Sequence, residues 1–370
     1  MKNLFLLLFM TLQFTILGQT SQECFDRGVA KFKLDDFRGA IRDYDKAITL
    51  DPEFAIAYRN RGSAKYLLDD YTGAIQDFNK AIELDPRYVI AYWNRGSAKI
   101  ELEDYEGAIQ DFNKAIELDP NFALAYWNRG SAKIDLEDYK GAIQDFNKAI
   151  DLDPKYAIAY QNRGNAKSAL EDYRGAIQDY NKAIEFDPKY TGAYNGRGLA
   201  KFKLKDYQGA IQDFNKTIEL DPQFAVAYRN RGVAKYDLKD YRGAIQDYNK
   251  TIELDPKSAV AYWNRGAAKY ELEDYRGAIQ DYNKTIELDP KFAVAYWLRG
   301  NAKIDLEDYK GAIQDFNKAI DLHPKFEIAY INRGLAKFFL NDKNGACLDW
   351  SRAGELGYNE AYDLIKENCK

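Results

Sequence analysis

Apolar residues recur along most of this chain at steps of three and four, the spacing that lines one face of a helix. The stretch 89–122, VIAYWNRGSAKIELEDYEGAIQDFNKAIELDPNF, shows the pattern. Ala91, the aliphatic stem of Arg95, Ala98 and Leu102 mark the face of a first helix. Ala108, Ile109, Phe112, Ala115 and Ile116 mark a second. Between them Asp104 is placed to cap the second helix, because its carboxylate can accept N–H groups that the first turn leaves unbonded. Asp119–Pro120 ends that helix, since a residue before proline avoids the helical region. The stretch therefore predicts a helix–turn–helix hairpin.

The hairpin recurs. All nine prolines fall on one series, Pro52 to Pro324, with a step of 34 residues. Twenty of the 25 glycines fall on two more series with that step, Gly28 to Gly334 and Gly39 to Gly345. Aligned on the prolines, the chain divides into ten units: nine regular ones over 21–326 and a variant over 327–358, followed by a short capping helix at 359–370. A fixed period of this size marks stacked repeats, not a mosaic of domains, and predicts one all-helical solenoid. Gly96 and Ala108, at positions 8 and 20 of the repeat, would let the paired helices approach closely, and Ala115 would do the same against the next unit. A net charge of −5 in 370 residues lacks the cationic surface of a general nucleic-acid binder.

In this register Gly96, Ala108, Phe112, Ala115 and Pro120 resemble the signature of the tetratricopeptide repeat, on the same period and across nearly the whole chain. The resemblance implies a right-handed superhelix of helical hairpins whose first helices line a concave groove, and a non-catalytic scaffold for protein–protein interaction. Three positions depart from the family: position 4 is usually Tyr, as in Tyr92 and Tyr126, and position 7 is Arg and position 11 is Lys in every unit, Arg27 to Arg333 and Lys31 to Lys337. Asp at position 23, Asp43 to Asp349, is their natural partner on the second helix, predicting an internal ion-pair ladder.

Chemistry is sparse. The single histidine, His323, stands before a proline in a turn, and no nucleophile, phosphate-loop or metal-ligand spacing occurs, so no catalytic residue, metal or cofactor is expected. Recurring pairs such as Glu103–Asp104 are read as turn and cap residues. The candidate site is the groove. By the resemblance, position 6 faces it, and position 6 is Asn in seven units: Asn60, Asn94, Asn128, Asn162, Asn230, Asn264 and Asn332. A carboxamide both donates and accepts, so such a ladder can hold a peptide backbone of any sequence. The alternative is an Asn of the family consensus with no ligand.

Four of the five tryptophans, Trp93, Trp127, Trp263 and Trp297, stand at position 5, in two pairs of units. Each is expected to be exposed and is joined at positions 12 and 13 by an apolar or aromatic residue and an acid, Ile100 and Glu101, Ile134 and Asp135, Tyr270 and Glu271, and Ile304 and Asp305, predicting two aromatic–acidic patches suited to a ligand with Lys or Arg beside an apolar side chain. Recent duplication of units is the alternative origin of the pairing. The expected partner is an extended peptide or protein surface; a structural spacer of the cell envelope and a cell-wall carbohydrate binder are the rival readings. Nucleic acid binding and membrane insertion of the mature chain are not expected.

Residues 1–18 break the period: Lys2 precedes the mostly apolar Leu4–Leu17 and the small Gly18, the layout of a secretory signal cleaved near Gly18, with an uncleaved anchor as the rival reading. A secreted or periplasmic location follows as an expectation, and it permits disulfides. Cys347 replaces the Ile of a second helix and Cys369 lies at the far end of the capping helix, predicting a bond between them, with two buried thiols as the alternative. Cys24 is expected to be buried outside any bond. In the capping helix Ala361, Tyr362, Leu364 and Ile365 form the expected apolar side.

Overall fold

A computed structural model describes residues 20–369. The proposed signal segment and Lys370 lie outside the described residues. Among those described there are 21 helices and no strands, and the chain separates into two compact units at Asp187/Pro188. Each holds five hairpins, and the second ends in the short helix Ala361–Asn368.

The third repeat shows how the sequence makes a hairpin. Its helices are Val89–Glu101 and Tyr105–Leu118. Asp104 caps the second, accepting from the N–H of Gly107 at 3.0 Å, and the equivalent bond recurs from Asp36 to Asp342. Position 19 is glycine for this reason: a Cβ on Gly107 would lie 2.2 Å from the Asp104 carboxylate. Glu103, just before the cap, takes the left-handed conformation at φ 60°, as does a non-glycine residue in every hairpin turn. Position 8 is glycine for close packing, since a Cβ on Gly96 would lie 2.7 Å from the Phe112 ring.

Ala91, Ala98, Ala108, Phe112 and Ala115 are fully buried, as their pattern predicts. Leu102 is not: it follows the end of the first helix and is 47% exposed, because the helix stops before that position can turn inward. Within each unit, consecutive repeats pack the second helix of one on the first helix of the next. Within each unit successive first helices also touch one another.

The position 7, 11 and 23 series forms the expected ladder. In all ten repeats the aspartate pairs with the arginine and the lysine of its own hairpin. Arg95 Nε and Nη2 donate to the two oxygens of Asp111, while its Nη1 reaches back to Asn79 of the preceding repeat at 2.6 Å. The guanidinium also lies over the Tyr92 ring, which accounts for Tyr at position 4. Each arginine thus ties its own hairpin and, in most repeats, the preceding one. In the first repeat the Arg27 guanidinium holds the Asp43 carboxyl down at about 2.

At the C-terminal end Ala361 is buried and Leu364 and Ile365 pack near Trp350, covering the last hairpin. Tyr362, expected on that apolar side, is 53% exposed; its ring lies across Gly354, which has no side chain to enclose it. Cys347 and Cys369 are joined, with Cα atoms 5.9 Å apart. Cys24 is buried and outside this bond.

Candidate functional site

In the first unit, the first helices of the second, third and fourth repeats (Ala55–Tyr66, Val89–Glu101 and Ala123–Asp135) border a cavity of about 570 Å³. Trp93, Trp127, Asn94, Asn128, Glu101 and Asp135 all line it. One of the two expected aromatic–acidic patches is therefore a concave site. Ser63, Ser97 and Tyr66 line it as well, and the sequence reading did not single them out.

The tryptophans are not the exposed rings expected. All four are half-buried, because position 5 packs on the aromatic residue that ends its own repeat. Trp93 meets Phe122 edge-on at 5.9 Å, Trp127 meets Tyr156 at 6.0 Å, Trp263 meets Phe292 at 5.6 Å and Trp297 meets Phe326 at 5.7 Å. Arg59, at the same position, lies over Tyr88 and donates to its hydroxyl at 3.0 Å. Position 5 thus has a packing role before any binding role.

The asparagine ladder is likewise engaged within the array. Asn94 and Asn162 donate to Ser63 and Ser131 of the preceding repeats, and Asn332 donates to Asn301 at 2.6 Å. Asn230 is buried and donates to Asn195. Asn128 accepts from the Trp93 indole N–H at 3.0 Å. No other position-5 indole has such an acceptor, and the N–H groups of Trp127, Trp263 and Trp297 are buried without one. Their neighbours explain it. Asn162 and Asn332 are turned to the preceding repeat, and Leu298 stands where Trp263 would need an amide. At these positions the carboxamides tie neighbouring repeats together, each through one bond.

The acids divide into two kinds. Glu101, Glu271 and Asp305 accept from the tyrosine at position 12 of the preceding repeat: Tyr66 at 3.0 Å, Tyr236 at 3.3 Å and Tyr270 at 2.6 Å. Burial and the neighbouring carboxylates push the Tyr66 and Tyr236 hydroxyls up to about 12. The sequence reading grouped Tyr270 with Glu271 of its own repeat; its partner is Asp305, 35 residues on. Asp135 differs because Ile100, not tyrosine, precedes it in that register. Burial raises its carboxyl above the ordinary range. Asp237, preceded by Phe202, shows the same shift in the second unit.

Among the described residues no group of His, Cys, Asp and Glu is placed to hold a metal ion, and no helix is long and apolar enough to cross a membrane.

A family model described as "TPR repeat" matches residues 96–135, 130–170, 164–205, 234–272, 268–306 and 300–339, and two described as "Tetratricopeptide repeat" match 25–89 and 192–224. None of the curated proteins matches the chain. Among solved structures, the Cut9–Hcn1 hetero-tetramer of the APC/C is similar with a TM-score of 0.52 at 16% identity, covering 95% of this chain and 84% of that one. A tetratricopeptide repeat protein from Parabacteroides merdae is similar with a TM-score of 0.51 at 21% identity, covering 67% and 99%. At these identities the likeness is one of fold.

Proposed function

Because this chain belongs to the tetratricopeptide repeat family, whose arrays are generally non-catalytic and serve protein–protein interaction, we propose that it binds an extended peptide or partner surface on the face formed by its first helices. The observation that carries this reading is the cavity of about 570 Å³ in the first unit, which gathers two tryptophans, serine hydroxyls and carboxylates on that face. Half-buried aromatic rings in a concave setting are the anchors that protein interfaces use, because they offer large apolar area at small entropic loss. The sequence layout of residues 1–18 supports the further proposal that this scaffold works outside the cytoplasm as a secreted or periplasmic protein.

The test is selection of a random-peptide phage library on the full chain, followed by affinity measurement on the double variant Trp93→Gln/Trp127→Gln. Glutamine is the residue the fifth repeat carries at this position, Gln161, so the hairpins are retained. Selected peptides should bind the double variant about tenfold more weakly or worse. Peptides that bind parent and variant alike would refute the site. Cell-wall fragments that displace no peptide, yet lose affinity with the same double variant, would replace the peptide reading by the carbohydrate one.

A further inference from the structure

The two tryptophan patches look equivalent in sequence and are not equivalent in structure. In the patch of the eighth and ninth repeats both acids are engaged, Glu271 by Tyr236 and Asp305 by Tyr270. In the patch of the third and fourth repeats Glu101 is engaged by Tyr66, but Asp135 faces Ile100 in the register where Tyr270 meets Asp305. Asp135 lines the cavity with Trp93 and Trp127, and the lysine of its own helix, Lys133, is held by Asp145 at 2.7 Å. The cavity thus holds one carboxylate without a partner among the described residues, beside aromatic rings and the apolar Ile100. Asp135 is exposed at the cavity margin, so its charge is open to a ligand, and its partial desolvation beside these apolar walls strengthens the attraction of a cation placed there.

We propose that this cavity is the subsite for one lysine or arginine side chain of the bound peptide, with Asp135 taking its charge and Trp93, Trp127 and Ile100 covering its alkyl stem. The proposal rests on the groove reading above and adds its specificity. Charge complementarity selects the basic residue, and the apolar walls favour one carried on a long aliphatic stem over a compact cation. The second patch, whose carboxylates already accept from tyrosines, lacks this preference.

The experiment uses the same peptide library on the full chain, with two variants, one at the carboxylate and one at the residue that faces it. Asp135→Asn removes it. Ile100→Tyr leaves it but supplies the hydroxyl found at Tyr270, converting the site into a copy of the engaged Tyr270–Asp305 arrangement; tyrosine already occupies this position in Tyr66, Tyr236 and Tyr270, so the hairpin accommodates it. Peptides selected on the parent should share one Lys or Arg. Replacing that residue by norleucine should weaken binding about tenfold or more, and each variant should remove the difference between the two peptides. Peptides that depend on Trp93 and Trp127 but show no basic preference, or that bind Asp135→Asn and Ile100→Tyr as tightly as the parent, overturn the subsite and leave the groove reading standing. Spermidine that binds as tightly as the peptides and competes with them would make a free polyamine the occupant. A selection yielding no peptide sensitive to Trp93→Gln/Trp127→Gln overturns both.

Discussion

Replacing Asp145 by Ala removes the anion from one rung of the ladder that runs through every repeat. Asp145 is 3% exposed and accepts from Arg129 Nε at 2.9 Å, from Arg129 Nη2 on its other oxygen, and from Lys133 at 2.7 Å. Arg129 and Lys133 are themselves about four-fifths covered, one turn apart on one helix. Without the carboxylate two like charges face each other across a vacated site. Removing one partner of a buried, hydrogen-bonded pair costs about 3–5 kcal/mol, whereas an exposed pair is worth ~0–1 kcal/mol. The long cations can swing partly to solvent, so the lower end, ~3 kcal/mol, is expected. Asp145→Asn, which keeps shape and one acceptor, should lose less. A triple variant with Arg129→Met, Lys133→Met and Asp145→Leu should recover most of the loss, since apolar groups replace a buried pair without leaving a charge alone. The assay is urea unfolding followed by helical circular dichroism, with hydrogen exchange of residues 123–152 as the local readout. A loss below ~1 kcal/mol for Asp145→Ala would show that the ladder is surface decoration and that packing alone holds the hairpins.

Three other outcomes follow from named contacts. Glu103→Gly relieves a left-handed backbone that costs a non-glycine residue ~1 kcal/mol, so it should raise the midpoint of thermal unfolding, while Gln110→Gly, exposed in the interior of the second helix of the same repeat, should lower it. Asp43 has a folded pKa of about 2, below its unfolded value, so its contribution is complete above pH ~4 and is lost as pH falls toward 2; Asp43→Asn should flatten that part of the stability profile. Reducing the Cys347–Cys369 bond, which closes a separation of 22 residues, should lower stability of the C-terminal hairpin by up to ~3 kcal/mol, and an unchanged exchange pattern over 343–368 after reduction would exclude that role.

The fold was legible because the array repeats its instructions. Asp104, Gly107 and Pro120 act locally, on the backbone within a few residues of each, and nine or ten copies made their positions unmistakable. The ion-pair ladder was legible for a similar reason: Arg, Lys and Asp recur without exception, and a buried cation demands an anion. The site was legible only in part. Residue types at positions 5, 6 and 13 were readable, but their partners lie 29 to 35 residues away, at the far end of the same repeat as in Arg59–Tyr88 or in the neighbouring repeat as in Asn94–Ser63 and Tyr66–Glu101. Reading each first helix alone grouped Tyr270 with Glu271 and left the tryptophans exposed. Reading position 12 against position 13 of the following repeat would have separated Asp135 from the three engaged acids.

The central claim, that the partner lies on the first-helix face of the first unit, is tested most directly by photo-crosslinking a selected peptide to the full chain. One probe is benzoylphenylalanine placed at Ser97, which lines the cavity; the other is the same residue at Glu117, exposed on the second helix of the same repeat and outside the cavity lining. The account predicts a crosslinked adduct from position 97, suppressed by excess unlabelled peptide, and none from position 117. Adducts that form from position 117 and not from position 97 would place the partner on the opposite helices and contradict it.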